Sequence, residues 1–150
     1  MKICLISSSG GHLEQLLMLK PLIEKYDGFI VSEKTDYTIS INKKTYFLKQ
    51  VNRNEFKFLF FMLINFCKSL KIYILEKPDV VISTGALSTI PMCLIAKIFR
   101  RKLIFIESFA KINSNTLTGK FLYPLADQFY VQWEDMLHIY PKAIFKGGIY

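Results

Sequence analysis

Ser7-Ser8-Ser9-Gly10-Gly11-His12 is the stretch on which the fold of this chain depends. It follows a short apolar run, 3–6, and opens an amphipathic segment, 12–26, so it joins a strand to a helix through a glycine turn. Two adjacent glycines and three hydroxyls let main-chain N–H groups approach an anion, and the helix end adds a partial positive charge. The alternative is a plain strand-to-helix turn with a capping serine.

The known phosphate-binding fingerprints are absent from the sequence. The P-loop pattern needs a glycine five residues before the glycine of Gly119-Lys120, and Ser114 stands there. Gly10-Gly11 is followed by His12-Leu13, which does not fit the dinucleotide pattern G-x-G-x-x-G. The sequence therefore argues against an ordinary nucleotide-binding loop, and His12 adds a side chain suited to proton transfer.

Composition bounds the class of protein. The chain has 150 residues, enough for one domain (1–150) with a sizeable core, and 51% of them are hydrophobic and 15% aromatic. This hydrophobic content is high for a soluble domain, which indicates that apolar surface outside the core is also covered. The net charge of +8 indicates a polyanionic partner, whether nucleic acid, an anionic membrane surface or a phosphorylated substrate.

Cysteine usage and the N-terminus favour a reducing compartment. Cys4, Cys67 and Cys93 lie in apolar runs without metal-ligand spacing, so we expect buried free thiols in the cytoplasm. The chain begins on a core strand, without a charged segment, a long apolar stretch and a cleavage site in succession. We therefore expect no export signal.

Apolar runs alternating with amphipathic segments predict an open α/β sheet. The expected strands are 2–7, 28–31, 45–48, 78–83, 102–106, 128–131 and 143–145. The expected helices are 12–26, interrupted near Pro21, then 53–76, 86–99, 119–125 and 133–140. The polar segment 32–44 is expected to be a loop or a sheet edge.

Residues 53–76 have the most unusual composition in the chain. The apolar run 58–64 is far shorter than the about 20 residues of a spanning helix, so no transmembrane segment is expected. At about 100° per residue, four cations share one side of a helix, namely Arg53, Lys57, Lys68 and Lys71. Five apolar side chains lie opposite and are expected to face the core: Leu59, Leu63, Phe66, Leu70 and Tyr73.

Phe61 and Ile64 lie within the basic side of this helix. Apolar groups framed by cations are typical of interfacial helices on anionic bilayers. The alternative is an over-hydrophobic core helix with a solvated lysine face.

Two further turns repeat the opening pattern. Thr84-Gly85 follows a buried strand and precedes the helix 86–99, whose end carries Arg100-Arg101, where cations suit both the helix dipole and anionic lipid. Another strand ends at Glu107-Ser108. Because ligands of open α/β sheets bind beyond the carboxyl ends of the strands, we expect these turns and 8–11 to line one crevice. Glu107 is then a base, a hydroxyl ligand or an orienter of a neighbour, or else a helix cap or loop carboxylate.

Four stretches carry a resemblance to a known family: SSSGGHLEQL (7–16), PDVVISTGA (78–86), the segment 107–133 and YPKAIFKGGIY (140–150). There the chain resembles bacterial capsule and exopolysaccharide proteins of the PssD/CpsF type. These are similar to the membrane-anchoring subunit of the eukaryotic two-subunit N-acetylglucosaminyltransferase that acts on dolichol-linked sugar. The resemblance covers nearly the whole chain, and 107–133 is its most specific part. Gly10-Gly11-His12 more remotely resembles the acceptor-binding half of MurG-type GT-B glycosyltransferases.

The resemblance implies a Rossmann-like parallel sheet with helices on both faces, equivalent to the N-terminal half of a GT-B glycosyltransferase. It also implies a split enzyme, in which this chain supplies the lipid-acceptor and membrane half and a separate chain supplies the nucleotide-sugar half. Gly147-Gly148 falls where a one-chain relative passes into its second domain. Since no spanning helix precedes Met1, membrane contact is expected to be peripheral, at the cytoplasmic face of the plasma membrane.

The implied reaction is inverting transfer of a hexose, such as galactose, from a UDP-sugar to a polyprenyl-diphosphate-linked sugar, with activity only when the partner chain is present. The resemblance implies no metal and no cofactor, and the sequence has no Asp-x-Asp pair. His12 is carried over as the base, and Glu107 as its orienter or a ligand of the acceptor sugar. The carried-over acceptor and diphosphate ligands are Ser9, Gly10, Gly11, Thr84, Gly85 and Ser108.

Other functions stay open at this point. The chain is alternatively a non-catalytic activator and membrane tether of the partner glycosyltransferase. A nucleic-acid-binding module is less favoured, because the aromatic residues are embedded in aliphatic runs. A standalone nucleotide-binding enzyme is disfavoured by the missing fingerprints. Without its partner the chain exposes the face that the partner covers, so we expect self-association in that state.

Overall fold

The computed structural model describes residues 1–39, 41 and 43–150. Over these residues the strands are β1 (Lys2–Ile6), β2 (Asp27–Glu33), β3 (Thr45–Leu48), β4 (Val80–Ser83), β5 (Lys102–Ile106), β6 (Gln128–Val131) and β7 (Ile144–Phe145). The α-helices are α1 (Gly11–Leu17), α2 (Lys20–Lys25), α3 (Asp36–Ile39), α4 (Phe58–Glu76), α5 (Ile90–Ile98) and α6 (Leu117–Leu122). Two 3₁₀ turns lie at Leu87–Thr89 and Glu134–His138.

The strands form one parallel sheet in the order β3-β2-β1-β4-β5-β6-β7. β1 lies at the centre, and its last residue, Ile6, is in register with Val31 of β2 and Ser83 of β4. The strand order reverses at β1, as it does in Rossmann-like folds. The carboxyl ends of β1, β2 and β4 therefore meet at one edge of the sheet.

Side chains of each strand alternate between two apolar clusters, as the period of two requires. Ile3 and Leu5 of β1 pack in a cluster with Leu13 and Leu16 of α1. Cys4 and Ile6 face the opposite cluster, which contains residues of α4, α5 and α6. Helices thus cover both faces of the sheet, as the resemblance implies.

The helices confirm one sequence-based expectation and depart from others. The predicted interruption of 12–26 near Pro21 is confirmed: Pro21 lies in the first turn of α2, which restarts after α1, because proline suits the start of a helix but not its interior. α4 begins at Phe58, so Arg53 and Lys57 precede it. The predicted loop 32–44 contains α3, and Ser40 and Asn42 of that loop lie outside the described residues.

Two positions along α4 are fixed, one level with the carboxyl ends of the strands and one level with their amino ends. Near its middle, the side-chain amide of Asn65 accepts from the Lys49 N–H and donates to the Lys49 carbonyl, at 2.8 Å in each case, and Lys49 follows the carboxyl end of β3. At its C-terminus, the Glu76 carboxylate forms an ion pair at 2.7 Å with Lys2 at the start of β1. The first two turns of α4 therefore project beyond the carboxyl edge, which is the side of the sheet at which the carboxyl ends of the strands lie.

Cysteine placement corrects one expectation. Cys4 and Cys93 are buried free thiols, and burial raises the pKa of the Cys93 thiol to about 12. Cys67 is also free but exposed, because it lies on the outward face of α4.

Candidate functional site

The turn after β1 packs directly against the turn after β4. The Ser8 N–H donates to the Gly85 carbonyl at 3.0 Å, and the Ser7 N–H donates to the Val31 carbonyl at 3.1 Å. The predicted convergence of these turns at the carboxyl edge is thus seen in the structure, and the end of β2 joins them.

His12 is held in this crevice by Thr84. Its Nδ1 lies 2.6 Å from the Thr84 carbonyl oxygen, and the Thr84 hydroxyl donates to the His12 carbonyl at 2.7 Å. A carbonyl oxygen only accepts, so Nδ1 must carry the proton of this hydrogen bond. In the neutral ring, Nε2 is then the unprotonated nitrogen, which is the state that a base requires.

Gly85 shapes the space beside the His12 ring. Its φ is +97°, a left-handed conformation that favours glycine, and a Cβ there would lie 3.2 Å from His12 Cε1. The glycine therefore serves the packing of the imidazole, and its own N–H donates to the Ser83 hydroxyl at 3.2 Å.

Glu33 belongs to the site, and the sequence analysis missed it. The residue ends β2 and is 4% exposed. Its Oε2 accepts from the Ser9 hydroxyl at 2.9 Å and from the Ser9 N–H at 3.3 Å. The available signal was its position: a carboxylate at the carboxyl end of a strand adjacent to the glycine turn.

Most of the predicted ligand groups are occupied within the protein. Ser9 gives both of its donors to Glu33. Thr84 is fully buried, its hydroxyl is bound by His12, and its N–H donates to Ile6. These two residues thus position the site and are not free to donate to an anion, because their hydrogens already have acceptors.

Gly10 and Gly11 are the predicted ligands that remain open. A Cβ at either position would meet no atom within 4 Å, and Gly10 has a φ of +70°. No acceptor for the Gly10 N–H is present among the residues that the structure describes.

Glu107 forms no hydrogen bond with His12 in the described part of the chain. It is 1% exposed and accepts four hydrogen bonds, from the Ser108 N–H, the Thr116 N–H, the Thr116 hydroxyl and the Tyr140 hydroxyl. Burial, followed by the charge of Glu107, raises the pKa of the Tyr140 hydroxyl. With its oxygens saturated, Glu107 fixes the segment 107–116 against the rest of the fold, and the Thr84 carbonyl takes the orienting role predicted for it.

The turn after β5 reaches the crevice through aromatic contacts. Ser108 is half-buried, its N–H is bound by Glu107, and the next residue, Phe109, packs on Trp133 and Tyr150 with ring centroids 4.8 and 5.1 Å apart. The Tyr150 hydroxyl lies 3.5 Å from the Gly11 carbonyl oxygen. The predicted third wall of the crevice is thus made by Phe109 and Tyr150 more than by Ser108.

Helix α4 presents its apolar side to solvent. Leu59 is 78% exposed, Leu63 61% and Leu75 66%, and the same face carries Phe60, Cys67 and Ile74. The inward face includes Asn65, Ser69 and Glu76. Leu59 and Leu63 were expected to face the core; they point outward because Asn65 and Glu76 have their hydrogen-bond and ion-pair partners on the sheet side. Tyr73 is buried, and Phe66 and Leu70 pack partly against the core, as expected.

The predicted membrane cations are not equally free. Arg53, Lys57, Lys68, Lys71 and Arg100 are exposed. Arg101 is engaged, because its guanidinium donates to the Tyr73 hydroxyl at 3.1 Å and to the Asp79 carboxylate at 3.2 Å. Phe61 and Ile64 are half-buried, with the Lys49 ammonium 5.0 Å from the centre of the Phe61 ring, whereas Leu59, Phe60 and Leu63 are the more exposed apolar side chains of this part of α4.

Two features of the described residues bear on the site. No three His, Cys, Asp or Glu side chains there are grouped so as to hold a metal ion. In the same part of the chain, α4 is long and apolar enough to cross a membrane by length and composition alone. No transmembrane segment was expected, because the uninterrupted apolar run 58–64 is far shorter than a spanning helix.

A family model decides the relationship of the chain to known proteins. Residues 32–149 match the family described as "Oligosaccharide biosynthesis protein Alg14 like". This chain belongs to the Alg14-like family. The family-level part of the resemblance is thereby confirmed, and the narrower PssD/CpsF assignment stays a prediction.

Curated Alg14-like relatives carry the description "UDP-N-acetylglucosamine transferase subunit". The protein of Yarrowia lipolytica is 26% identical over an alignment that covers 97% of this chain and 80% of the relative. The human protein is 30% identical over 79 residues, which covers 49% of this chain and 37% of the relative. This chain thus spans most of the yeast relative and a little over a third of the human one.

Solved structures with the same fold include a MurG and a UDP-N-acetylglucosamine 2-epimerase. MurG of Acinetobacter baumannii superposes with a TM-score of 0.72 at 15% identity over 90% of this chain and 43% of MurG. A UDP-N-acetylglucosamine 2-epimerase of Rickettsia bellii gives a TM-score of 0.76 at 16% identity, over 99% of this chain and 45% of the epimerase. At these identities the likeness concerns the fold, and it confirms the expected Rossmann-like architecture of one half of a GT-B protein.

Proposed function

We propose that this chain is the acceptor-binding, membrane-associated subunit of a two-component glycosyltransferase. The carrying observation is that the outward apolar face of α4 extends past the same sheet edge at which His12 lies. Membership in the Alg14-like family and the word "subunit" in the relatives' descriptions support the two-component arrangement. The partner is a nucleotide-sugar-binding chain.

The membrane and the acceptor site share one edge of the sheet. Asn65 lies level with Lys49 at the end of β3, and Leu59 is six residues before Asn65. At 1.5 Å per helical residue, Leu59 stands roughly 9 Å beyond that edge. A polyprenyl-diphosphate-linked sugar emerging from a bilayer that contacts Leu59 and Phe60 meets the crevice with its head group first.

Helix α4 lies on the membrane in this proposal and does not cross it. Its inward face is tied to the sheet by Asn65 and Glu76, and those polar groups would lose their partners in a spanning orientation. Exposed cations flank its apolar face, among them Lys68 and Lys71, which suits an anionic leaflet. The site of action is then the cytoplasmic face of the plasma membrane, with peripheral attachment.

The chemistry assigned to this chain is acceptor activation. His12 Nε2 takes the proton of an acceptor hydroxyl as its oxygen attacks the anomeric carbon of the donor sugar, and the bond from that carbon to the UDP breaks. Inversion follows from a single displacement. Gly10 and Gly11 offer open main-chain groups to the acceptor, whereas the donor is held by the partner. UDP-N-acetylglucosamine is the first donor to test, given the relatives' descriptions, and UDP-galactose in capsule or exopolysaccharide synthesis is the second.

Reconstitution with the partner chain tests the proposal. Transfer to a polyprenyl-diphosphate-linked sugar should require both chains, and His12→Gln should lower kcat by about 10²- to 10⁴-fold. Glutamine keeps a side-chain amide but does not place it at the Nδ1 position, so the thermal midpoint of the variant is measured as well. His138→Gln is the matched control, because that histidine is exposed in a distant 3₁₀ turn. Full activity of His12→Gln would remove the base assignment.

A second candidate function is that of a non-catalytic activator and tether. The observation that favours it is the internal use of donors at Ser9, Thr84 and Gly85, which leaves few groups free for substrate. The two functions predict different activities for the partner when this chain is absent. A partner that transfers sugar slowly by itself and is only accelerated by this chain supports the tether, whereas complete dependence supports shared catalysis.

A further inference from the structure

We infer that Glu33 is a sugar-binding residue: its carboxylate accepts a hydrogen bond from a hydroxyl of the acceptor's hexose ring, laid against Ser9 and Gly10. The inference rests on the proposed function, because it specifies which part of a lipid-linked acceptor meets the glycine turn. It departs from the carried-over role of Ser9 as a diphosphate ligand.

Glu33 differs from the other buried carboxylates of the fold. Glu76 is paired with two lysines and bonded by the Tyr46 hydroxyl, and Glu107 accepts four hydrogen bonds that use both oxygens. Glu33 is as buried as Glu76, at 4% exposure, yet both of its contacts come from Ser9 and fall on one oxygen, Oε2. Within the described part of the chain, Oε1 has no hydrogen-bond donor and Glu33 has no ion-pair partner.

One oxygen of the Glu33 carboxylate is anchored and the other is open. Oε2 is held by Ser9, whereas Oε1 is not one of the buried side-chain atoms without a partner in the described part of the chain, so it faces the crevice. A structural tie to Ser9 alone needs no charge, since a neutral amide oxygen accepts the same two hydrogens. The open Oε1 at the ligand-binding edge of the sheet therefore points to a donor supplied by substrate.

The sign of the charge selects the donor class. A diphosphate next to Glu33 would be repelled, and the Ser9 N–H and hydroxyl are already bound by the carboxylate. Sugar hydroxyls are neutral donors and form strong hydrogen bonds with a carboxylate. The open space in front of Gly10 admits a ring, since a Cβ there meets nothing within 4 Å. The diphosphate then lies beyond the reach of Glu33, toward the open main chain of Gly11.

Calorimetric titration of the full chain in detergent tests this assignment. The probes are farnesyl diphosphate and the same molecule carrying one glucose, galactose or N-acetylglucosamine residue. We expect at least one sugar-bearing probe to bind more tightly than the bare diphosphate, and Glu33→Gln to reduce that preference about tenfold while leaving the affinity for the bare probe unchanged. Glu14→Gln, an exposed carboxylate of α1, is the matched control and should keep the preference.

The possible results distinguish the role of Glu33 from the proposed acceptor function. Equal affinity of the wild type for bare and sugar-bearing probes overturns the role of Glu33 and leaves diphosphate-lipid binding intact. A Glu33→Gln variant that loses affinity for every probe, with a lowered thermal midpoint, shows a structural role only and also overturns it. Failure of the wild type to bind any probe overturns both this inference and the proposed acceptor function.

Discussion

His12 and Thr84 are joined by two hydrogen bonds that run in opposite directions. The imidazole Nδ1–H donates to the Thr84 carbonyl, and the Thr84 hydroxyl donates to the His12 carbonyl. One residue of the β4 turn thus fixes the main chain, the tautomer and the ring orientation of the candidate base. Among the residues that the structure describes, no carboxylate is bonded to the ring, so the candidate base differs from the many catalytic histidines that have a charged partner.

Substitution of Gly85 should disturb this arrangement without touching substrate. In Gly85→Ala the new methyl would lie 3.2 Å from His12 Cε1 and 3.3 Å from Nδ1, and the φ of +97° adds roughly 1 kcal/mol of backbone strain. We expect kcat in the two-chain assay to fall about 10- to 100-fold, with an unchanged KM for the UDP-sugar. Gly147→Ala is the control, because Gly147 has a φ of +87° with nothing within 4 Å. Equal losses in the two variants would attribute the effect to backbone strain.

Acidic substitutions on the outward face of α4 should weaken binding of the chain to membranes. Burial of one leucine in a bilayer is worth about 1.5–3 kcal/mol, so Leu59→Glu with Leu63→Glu should weaken vesicle binding at least about 100-fold. Co-sedimentation with vesicles rich in phosphatidylglycerol measures this. Met18→Glu with Ile112→Glu changes two exposed apolar residues elsewhere and should leave binding intact. Co-sedimentation of both double variants to the same extent would contradict the assignment of the membrane face.

Glu76 should make the stability of the fold fall in acid. Burial alone would raise the pKa of its carboxyl, but Lys2, Lys44 and Tyr46 outweigh burial and lower it from 4.5 to about 2. A lowered pKa contributes stability above the unfolded value, and that contribution is lost as the pH falls from about 4.5 toward 2. Urea denaturation between pH 7 and pH 3 should show this loss, and Glu76→Gln should be on the order of 3 kcal/mol less stable at pH 7, with a flatter pH profile. An exposed-site control, Glu24→Gln, should retain the wild-type profile.

Because α6 approaches Glu107 closely, Gly119 should not tolerate a side chain. A Cβ at Gly119 would overlap the Glu107 carboxylate and lie 2.9 Å from the Thr116 hydroxyl oxygen. Gly119→Ala should therefore lower the free energy of unfolding by about 2 kcal/mol or more. Gly11→Ala, also within a helix but facing open space, should be neutral or stabilising. A comparable loss at both positions in urea titrations would refute the packing argument.

The strands and the sheet were predictable because buried parallel strands are uninterrupted apolar runs bounded by turn residues. The bounds of β3, β5 and β6 agree with the sequence-based ranges. The convergence of the Ser8 and Gly85 turns also followed from topology, since parallel strands place their carboxyl ends together. These features depend on local pattern and connectivity.

The failures share a different cause. The prediction of which face of α4 points outward was wrong because hydrophobicity was taken to mark the inward side. In the structure, Asn65 and Glu76 have their partners on the sheet side. Those partners, Lys49 and Lys2, are 16 and 74 residues away in the chain and cannot be inferred from helical periodicity. The same limit hid the contact of Glu33 with Ser9 and the saturation of Glu107 by Thr116 and Tyr140. Partner identity at long range decides which polar residues are free to act.

The projection of α4 beyond the carboxyl ends of the strands implies that the turnover rate depends on the concentration of acceptor within the membrane. In the proposed function, the chain rests on the bilayer through the exposed Leu59 and Leu63 and meets its acceptor by lateral diffusion in two dimensions, while the UDP-sugar arrives from bulk solution. Rate should therefore follow the mole fraction of acceptor in the lipid and be diluted by inert phospholipid at constant bulk concentration. Bilayer composition then becomes a control on flux, separate from the amounts of enzyme and substrate in the cell.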